Sequence, residues 1–347
     1  MSMPRFEWAS ARSAAEAAAM ASTTVAEAML VTRGAGGAAN SADVLKAGGI
    51  DLLDLMKEGL LAPRRLINLR GVAGLDAIEE DGAGGLRIGA LATLAQVAAH
   101  PSVRQRYAAL AEAAAGSASP QIRSVATLGG NILQRPRCWY FRSDAQRCLR
   151  RGGGRCYAIH GENQYHAIFA NEVCAAVHPS TLATALVALD ARIELVNAAG
   201  ETRRPPLDEF FVAPEVDVQR ENDLRPGEIA TAVLLPSLDA GTTSTHLRDA
   251  DKLSFDWPIA DVAVRLERDE TARCRRVAVV LGAAAPVPQR ARAAEDVLAG
   301  KAVDDTAARA AGEAALEGAT ALSKNRYKLP IFAALVRRAL LRAAGQG

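Results

Sequence analysis

Four cysteines, Cys138, Cys148, Cys156 and Cys174, fall 10, 8 and 18 residues apart inside one stretch, residues 134–175. The same stretch is crowded with arginine, holds Gly152, Gly153 and Gly154 in a row, and carries Trp139, Tyr140, Phe141, Tyr157 and Tyr165. Its texture is that of an insertion organised around something other than an apolar core. Four thiolates amid cationic groups and backbone N–H donors suit a [4Fe–4S] cluster, which is anionic and wants one thiolate at each iron corner. The spacing fits zinc or disulfides nearly as well, and unliganded thiols are a fourth reading. Cys274 stands apart in a strand-like segment and reads as a buried core thiol.

Two glycine turns are the second candidate: Ala47-Gly48-Gly49 and Thr127-Leu128-Gly129-Gly130-Asn131. Glycine pairs let the backbone approach a ligand closely, and successive N–H groups pointing one way make a nest for phosphate oxygens. Neither turn is a GxGxxG or a GxxxxGK[ST], which disfavours a Rossmann dinucleotide site and a P-loop. The GAGG runs at Gly34 and Gly82 read as plain turns. His100, His160, His166, His178 and His246 form no Ser/His/Asp or HExxH arrangement and read as structural or surface residues. His166 and His178 do flank Cys174. The Glu79-Glu80 pair reads as solvated surface, and no catalytic acid–base set is found.

The elements that must hold these groups follow from periodicity. Residues 9–29 read as a helix, 32–44 as a flexible insertion, and 46–59 as a glycine turn running into an amphipathic segment. Strand-like alternation at 64–72 and 85–94 is followed by a helix over 94–115. Residues 121–133 read as strand–turn–strand, 178–191 as a helix, and 192–198 and the segment up to Pro236 as strands. After a linker at 237–244, strands at 262–269 and 275–288 pair as a hairpin. Helices follow at 290–299, 304–322 and 330–344.

The chain has 347 residues, which leads us to expect two domains. Apolar residues make up 50% and charged residues 23%, so a disordered chain is excluded. A net charge of +2 argues against nucleic acid or an anionic membrane as the main partner. No apolar run approaches the ~20 residues of a membrane span, and the N-terminal residues lack the apolar core of a secretory signal.

The two turns together carry a resemblance. KAGGIDLLDLMK, residues 46–57, is similar to the AGGTDLL stretch of the flavin subunits of molybdenum hydroxylases, the xanthine dehydrogenase family. QIRSVATLGGN, residues 121–131, resembles their second flavin motif, QIRNxATLGGN. VAVVLGAAAPVPQRA (277–291) and NRYKLPIFAALVRRAL (325–340) resemble their C-terminal domain. The resemblance implies an α+β chain with a p-cresol-methylhydroxylase-type two-lobed FAD-binding domain at 1–236. A small α+β C-terminal domain would follow at 245–347. FAD would lie between the lobes, contacted by Lys46, Ala47, Gly48, Gly49, Ile50, Asp51 and Leu52 and by Ser117, Ala118, Thr127, Leu128, Gly129, Gly130 and Asn131. Lys252 would sit near the flavin or its phosphates, with a solvated lysine as the plain alternative. Ile50 replaces the usual Thr, and Thr181 replaces an Asp that often anchors FAD. No His lies in the first loop, so the flavin would be non-covalent.

The segment RPRCWYFR…C…GGGRCYA…HAIF…CAAVHPS is similar to the insertion in the flavin subunits of periplasmic aldehyde oxidoreductases, and more loosely of 4-hydroxybenzoyl-CoA reductase. That likeness implies a [4Fe–4S] cluster on Cys138, Cys148, Cys156 and Cys174. It also implies two partners, a molybdopterin-binding large subunit and a [2Fe–2S] small subunit. Electrons would pass from the [2Fe–2S] centres through FAD to a terminal acceptor. The chain would be periplasmic by co-export with a partner, or cytoplasmic, with no signal peptide of its own. A free-standing FAD-dependent oxidase, a 4-hydroxybenzoyl-CoA reductase-type subunit and a purely structural assembly subunit are the other readings.

Overall fold

A computed structural model describes residues 3–21, 23–32, 41–252 and 255–346. Most of the expected 32–44 insertion, with its GAGG at Gly34, lies outside the described residues.

The first lobe is built from β1 (Glu7–Ser10), α1 (Ala14–Met20), α2 (Val25–Val31), β2 (Asp43–Lys46), α3 (Ile50–Lys57) and β3 (Arg65–Asn68). Its strands are parallel in the order β1-β3-β2. The single helix expected over 9–29 is instead a strand end and two short helices. Ser13 caps α1, and a Thr24/Glu27 capping box starts α2 afresh. Buried Leu52, Leu55 and Met56 turn one face of α3 inward.

The second lobe carries β4 (Ile78–Glu80), β5 (Leu86–Gly89), α4 (Leu94–Ala99), α5 (Pro101–Arg106), α6 (Ala108–Gly116), α7 (Pro120–Arg123) and α8 (Leu128–Ile132). It continues with α9 (Thr181–Ala188), β6 (Arg192–Asn197), β7 (Thr202–Arg203), α10 (Leu207–Phe210) and β8 (Glu228–Leu235). The sheet is antiparallel in the order β4-β5-β8-β6-β7. Pro101 at a first helical position divides the helix expected over 94–115. The strand–turn–strand expected at 121–133 is two helical turns. Ser119 with Pro120 starts one and Thr127 caps the other, so start signals outweigh the apolar alternation.

The C-terminal part is β9 (Thr243–Asp249), β10 (Ala260–Arg268), β11 (Cys274–Gly282), β12 (Gln289–Arg290), α11 (Arg292–Leu298), α12 (Asp305–Ala314) and α13 (Lys328–Ala343). The expected hairpin is present as the antiparallel pair β10–β11. β9, which the sequence reading missed because THLRD looks polar, extends that sheet, and α12 ends well short of residue 322. Val262, Val264, Val277, Val279 and Leu281 pack on α11–α13, while Ala263, Ala278 and Val280 join the core of the second lobe. Each strand alternates between two cores, so the sheet is covered on both faces. Buried Cys274 belongs to this packing, as expected. Arg265, Arg276 and Arg290 all reach Asp190, at 2.7, 2.8 and 3.4 Å, and tie the two parts together.

Candidate functional site

A cavity of ≈ 440 Å³ opens where the two lobes and the β9–β10 loop meet. Both glycine turns line it. Gly49 has φ +86°, a left-handed conformation that suits glycine, and caps α3 with no side chain. A Cβ on Gly48 would lie 2.3 Å from the Val125 carbonyl oxygen, so this turn is pressed against the backbone that leads into the second. The N–H groups of Ile50, Asp51 and Leu52, in the first turn of α3, have no acceptor among the described residues. Free N–H groups at a helix N-terminus favour an anion.

The second turn works differently. Leu128 N donates to Ala92 O, Gly129 N to Ala90 O at 2.8 Å, Gly130 N to the Thr127 hydroxyl and Asn131 N to Thr127 O. Its N–H groups are therefore spent inside the fold, and the turn offers close approach instead of a second nest. Gly129 is squeezed against Ala90, at 2.9 Å from a built Cβ, whereas a Cβ on Gly130 meets only the Thr127 hydroxyl, at 3.0 Å.

Ser117, Ala118 and Thr181 also line the cavity. The Ser117 hydroxyl donates to Ala113 O, so Thr181 donates in their 2.7 Å contact and its hydroxyl is occupied within the protein. Ala118 has φ +49°, and Arg123 Nη1 holds the carbonyls of residues 117 and 118 at 2.8 and 2.7 Å. Asn131 Oδ1 accepts from Ser180 at 2.6 Å.

Three of the expected contacts lie outside the cavity wall. Leu128 is fully buried in the second-lobe core, and Lys46 places its Nζ 5.4 Å from the centre of the Trp8 ring. Lys252 is exposed, while Phe255, Asp256, Trp257 and Pro258 beyond it line the cavity. Sequence reasoning missed Arg135, Arg137, Glu221 and Trp257 in the wall, although the arginine crowding at 134–175 was a usable signal.

Cys138, Cys148, Cys156 and Cys174 line one small cavity with Phe141, Arg150 and Tyr157. All four are free thiols, and among the described residues no group of three or more His, Cys, Asp or Glu is placed to hold a metal ion. Backbone N–H groups of Phe141 and Tyr140 point at Cys138, those of Arg151 and Arg150 at Cys148, those of Ala175 and Ala158 at Cys156, and that of Ala176 at Cys174. Burial pushes the Cys138 thiol up to about 12. Cys174 goes the other way, to about 5, because the Cys156 thiol donates to it and the Arg150 guanidinium sits 3.5 Å from its sulfur. Cys156 is raised by the same contact. His166 Nε2 lies 3.2 Å from Cys138 Sγ, whereas the His178 ring packs edge-on against Phe211.

α3 lines the first cavity and packs against part of the wall of the second. Leu52, Leu55 and Met56 pack with Phe141 and Cys148, and Asp51 takes Arg142 at 2.6 Å, Arg137 at 2.9 Å and the Arg135 N–H at 2.9 Å.

A two-lobed domain with such a cleft, closed by a small α+β domain, has the architecture of a flavoprotein redox subunit. Residues 4–238 match the FAD binding domain in molybdopterin dehydrogenase, and residues 246–343 match the CO dehydrogenase flavoprotein C-terminal domain. The chain belongs to the FAD-binding subunits of the molybdenum hydroxylase family. It is 40% identical over 264 residues to the aldehyde oxidoreductase FAD-binding subunit PaoB of Escherichia coli (strain K12), covering 75% of this chain and 81% of that one. It is 27% identical over 342 residues to the carbon monoxide dehydrogenase medium chain of Hydrogenophaga pseudoflava, covering 97% and 96%. The solved carbon monoxide dehydrogenase of that organism superposes with a TM-score of 0.72, covering 100% of this chain and 99% of that one.

Proposed function

We propose that this chain is the electron-transfer flavoprotein of an aldehyde oxidoreductase-type complex, with FAD in the inter-lobe cleft and a [4Fe–4S] cluster on Cys138, Cys148, Cys156 and Cys174. Residues 1–236 form its FAD domain and 245–347 its C-terminal domain. The observation that carries the reading is the pairing of two pockets on one helix. A cleft with free N–H groups lies at the start of α3, and the four-thiol cavity, with its own N–H donors and buried Arg150, is joined to the side of that helix through Phe141, Cys138 and Cys148. That donor set suits an anionic sulfur-ligated group.

Bound FAD exchanges electrons singly and in pairs, as a junction between one-electron centres and a two-electron acceptor requires. The first turn of α3 holds the pyrophosphate on the N–H groups of Ile50, Asp51 and Leu52. Gly48, Gly49, Gly129 and Gly130 let the dinucleotide come close. Ala47, Ser117, Ala118, Asn131 and Thr181 shape the wall, with Leu128 fixing the second turn from behind and Lys46 and Lys252 flanking the cleft. Arg150 and the surrounding N–H groups stabilise thiolate charge. Substrate oxidation belongs to a molybdopterin-binding large subunit, and a [2Fe–2S] small subunit delivers the electrons.

Anaerobic purification of the complex, with flavin and metal analysis, tests this. One FAD and four iron atoms per chain beyond those of the [2Fe–2S] subunit are expected, with a flavin spectrum over a broad iron–sulfur shoulder. Stoichiometric zinc with no iron beyond that of the [2Fe–2S] subunit removes the cluster, and absence of flavin removes the cleft assignment. Among the described residues no helix is long and apolar enough to cross a membrane. We place the complex in the periplasm, exported on the small subunit's signal, as the likeness of the insertion suggests. Fractionation with and without that leader checks it, and a cytoplasmic location in both cases overturns it.

A further inference from the structure

One imidazole reaches the thiol set from beside its cavity. His166 is 3% exposed, and its Nε2 lies 3.2 Å from Cys138 Sγ. The ring stands edge-on to Trp139, with centroids 5.0 Å apart. Its backbone is pinned as well. His166 N donates to Asn163 O, and the His166 carbonyl accepts from Asn325 Nδ2 and Lys328 Nζ, both at 3.1 Å. The other ring nitrogen, Nδ1, is buried and has no partner among the described residues. Cys138 Sγ is therefore the one hydrogen-bond partner the ring has there.

Chemistry fixes which way that contact runs once the cysteine is a ligand. Burial, helped by the Lys328 charge, holds the His166 ring down to about 4, so near neutral pH it carries a single N–H. A thiolate bound to iron offers only lone pairs, so the proton belongs on Nε2, and Nδ1 is left bare. Cys138 would then have three donors, the backbone N–H groups of Phe141 and Tyr140 and this imidazole. Cys174 has its own side-chain donor in Arg150. Hydrogen bonds to ligating sulfurs favour the more negative, reduced state of a cluster and raise its potential.

We propose that His166 donates its Nε2–H to Cys138 Sγ and thereby raises the reduction potential of the cluster that the four cysteines hold. The inference rests on the [4Fe–4S] reading of this cavity. On reduction one electron enters from the [2Fe–2S] subunit and adds negative charge to the ligand sulfurs. The N–H bond stays intact, and no proton changes place. His166 is a positioning residue that acts through Cys138. The C-terminal part shares in the task, because Asn325 and Lys328 hold the backbone that aims the ring.

The test is a dithionite titration of the intact complex, followed by EPR on the reduced [4Fe–4S] cluster, for wild type, His166→Phe and His166→Gln. His166→Phe keeps an aromatic ring beside Trp139 and removes the donor. Its cluster is expected to be harder to reduce by about tenfold, ~59 mV for one electron. His166→Gln presents an amide N–H at a similar reach and is expected to recover at least half of that shift. In wild type grown with histidine isotopically labelled in its ring nitrogens, pulsed EPR should show a nitrogen coupled to the reduced cluster, and His166→Gln should lack it. If His166→Phe takes up no iron, that coupling decides alone. A His166→Phe potential equivalent to wild type within twofold, or a wild-type cluster with no coupled ring nitrogen, makes His166 a space-filling ring and overturns the proposal while the cluster stands. A shift that His166→Gln leaves in full is a packing effect and overturns it too. A wild-type complex without four iron atoms beyond those of the [2Fe–2S] subunit overturns the cluster reading and the proposal with it.

Discussion

Gly48 and Gly130 occupy matching turns and answer to different constraints. A Cβ on Gly48 runs into a backbone carbonyl, which cannot swing away, whereas one on Gly130 meets the hydroxyl of a threonine side chain. Gly130→Val is therefore expected to fold, with a melting temperature within a few degrees of wild type, and to lose FAD because its methyls fill the approach to the dinucleotide. Gly48→Ala is expected to lose stability and flavin together. Flavin content against melting temperature for the pair checks this, and normal FAD in the Gly130 variant would move the site elsewhere. Among the cysteines, Cys174→Ser should lower iron, since it removes the thiolate that Arg150 supports, while Cys274→Ser should keep it. Iron analysis of the two variants decides, and iron lost from the Cys274 variant alone would sink the cluster assignment. The glycine turns and cysteines were legible because their chemistry lies in residue type and local spacing. Arg137 was not, because its place in the cleft wall appears only when α3, the insertion and the β9–β10 loop converge on one guanidinium.

At the scale of the element, α3 is where the two cavities become one device. Its N-terminus presents free N–H groups to the cleft, its first-turn acid gathers Arg137 and Arg142, and its apolar face packs on Phe141 and Cys148. Arg142 is nearly buried, at 9% side-chain exposure, and its other carboxylate, Glu58, lies at 3.2 Å. Asp51→Ala would leave that guanidinium half-compensated and free Arg137 to swing, costing on the order of 3 kcal/mol. Urea unfolding of the complex would measure it, and FAD content should fall at the same time. A loss below about 1 kcal/mol, the range of an exposed pair, would show that Asp51 is not the link. The amphipathic pattern predicted α3 well, yet the same reasoning misread residues 121–133. There, short apolar alternation competes with the Ser119-Pro120 and Thr127 start signals, and a four- or five-residue helix is too short for periodicity to show.

On the scale of the whole molecule, the cysteine segment is bound to the C-terminal part by buried polar groups. Asn325 Nδ2 donates to the carbonyls of His166 and Ala167, Asn171 to those of Ala167 and Thr320, and Asn163 to Ala158 O and Ser323. Lys328, fully buried at the start of α13, donates from Nζ to His166 O at 3.1 Å and Ala283 O at 2.6 Å. An insertion in the sequence is thus a wedge in the fold, a position that no local pattern reveals because its partners lie some 160 residues away. Burial drops the Lys328 ammonium from 10.5 to about 7, with only the more distant Asp261 charge opposing the drop. Between those two values the unfolded chain holds a proton that the folded chain has released. The lysine's contribution to stability therefore rises with pH from about 7 to about 10.5 and is flat below. The neutral amine keeps two hydrogens for its two carbonyls, so the staple survives deprotonation. Lys328→Met abolishes both the staple and the proton linkage. It should be less stable than wild type throughout, by a margin that widens as the pH is raised across that window. Denaturant midpoints for the two proteins at a series of pH values measure the margin. A constant difference would mean that the ammonium stays charged in the core, balanced by the carbonyls and Asp261.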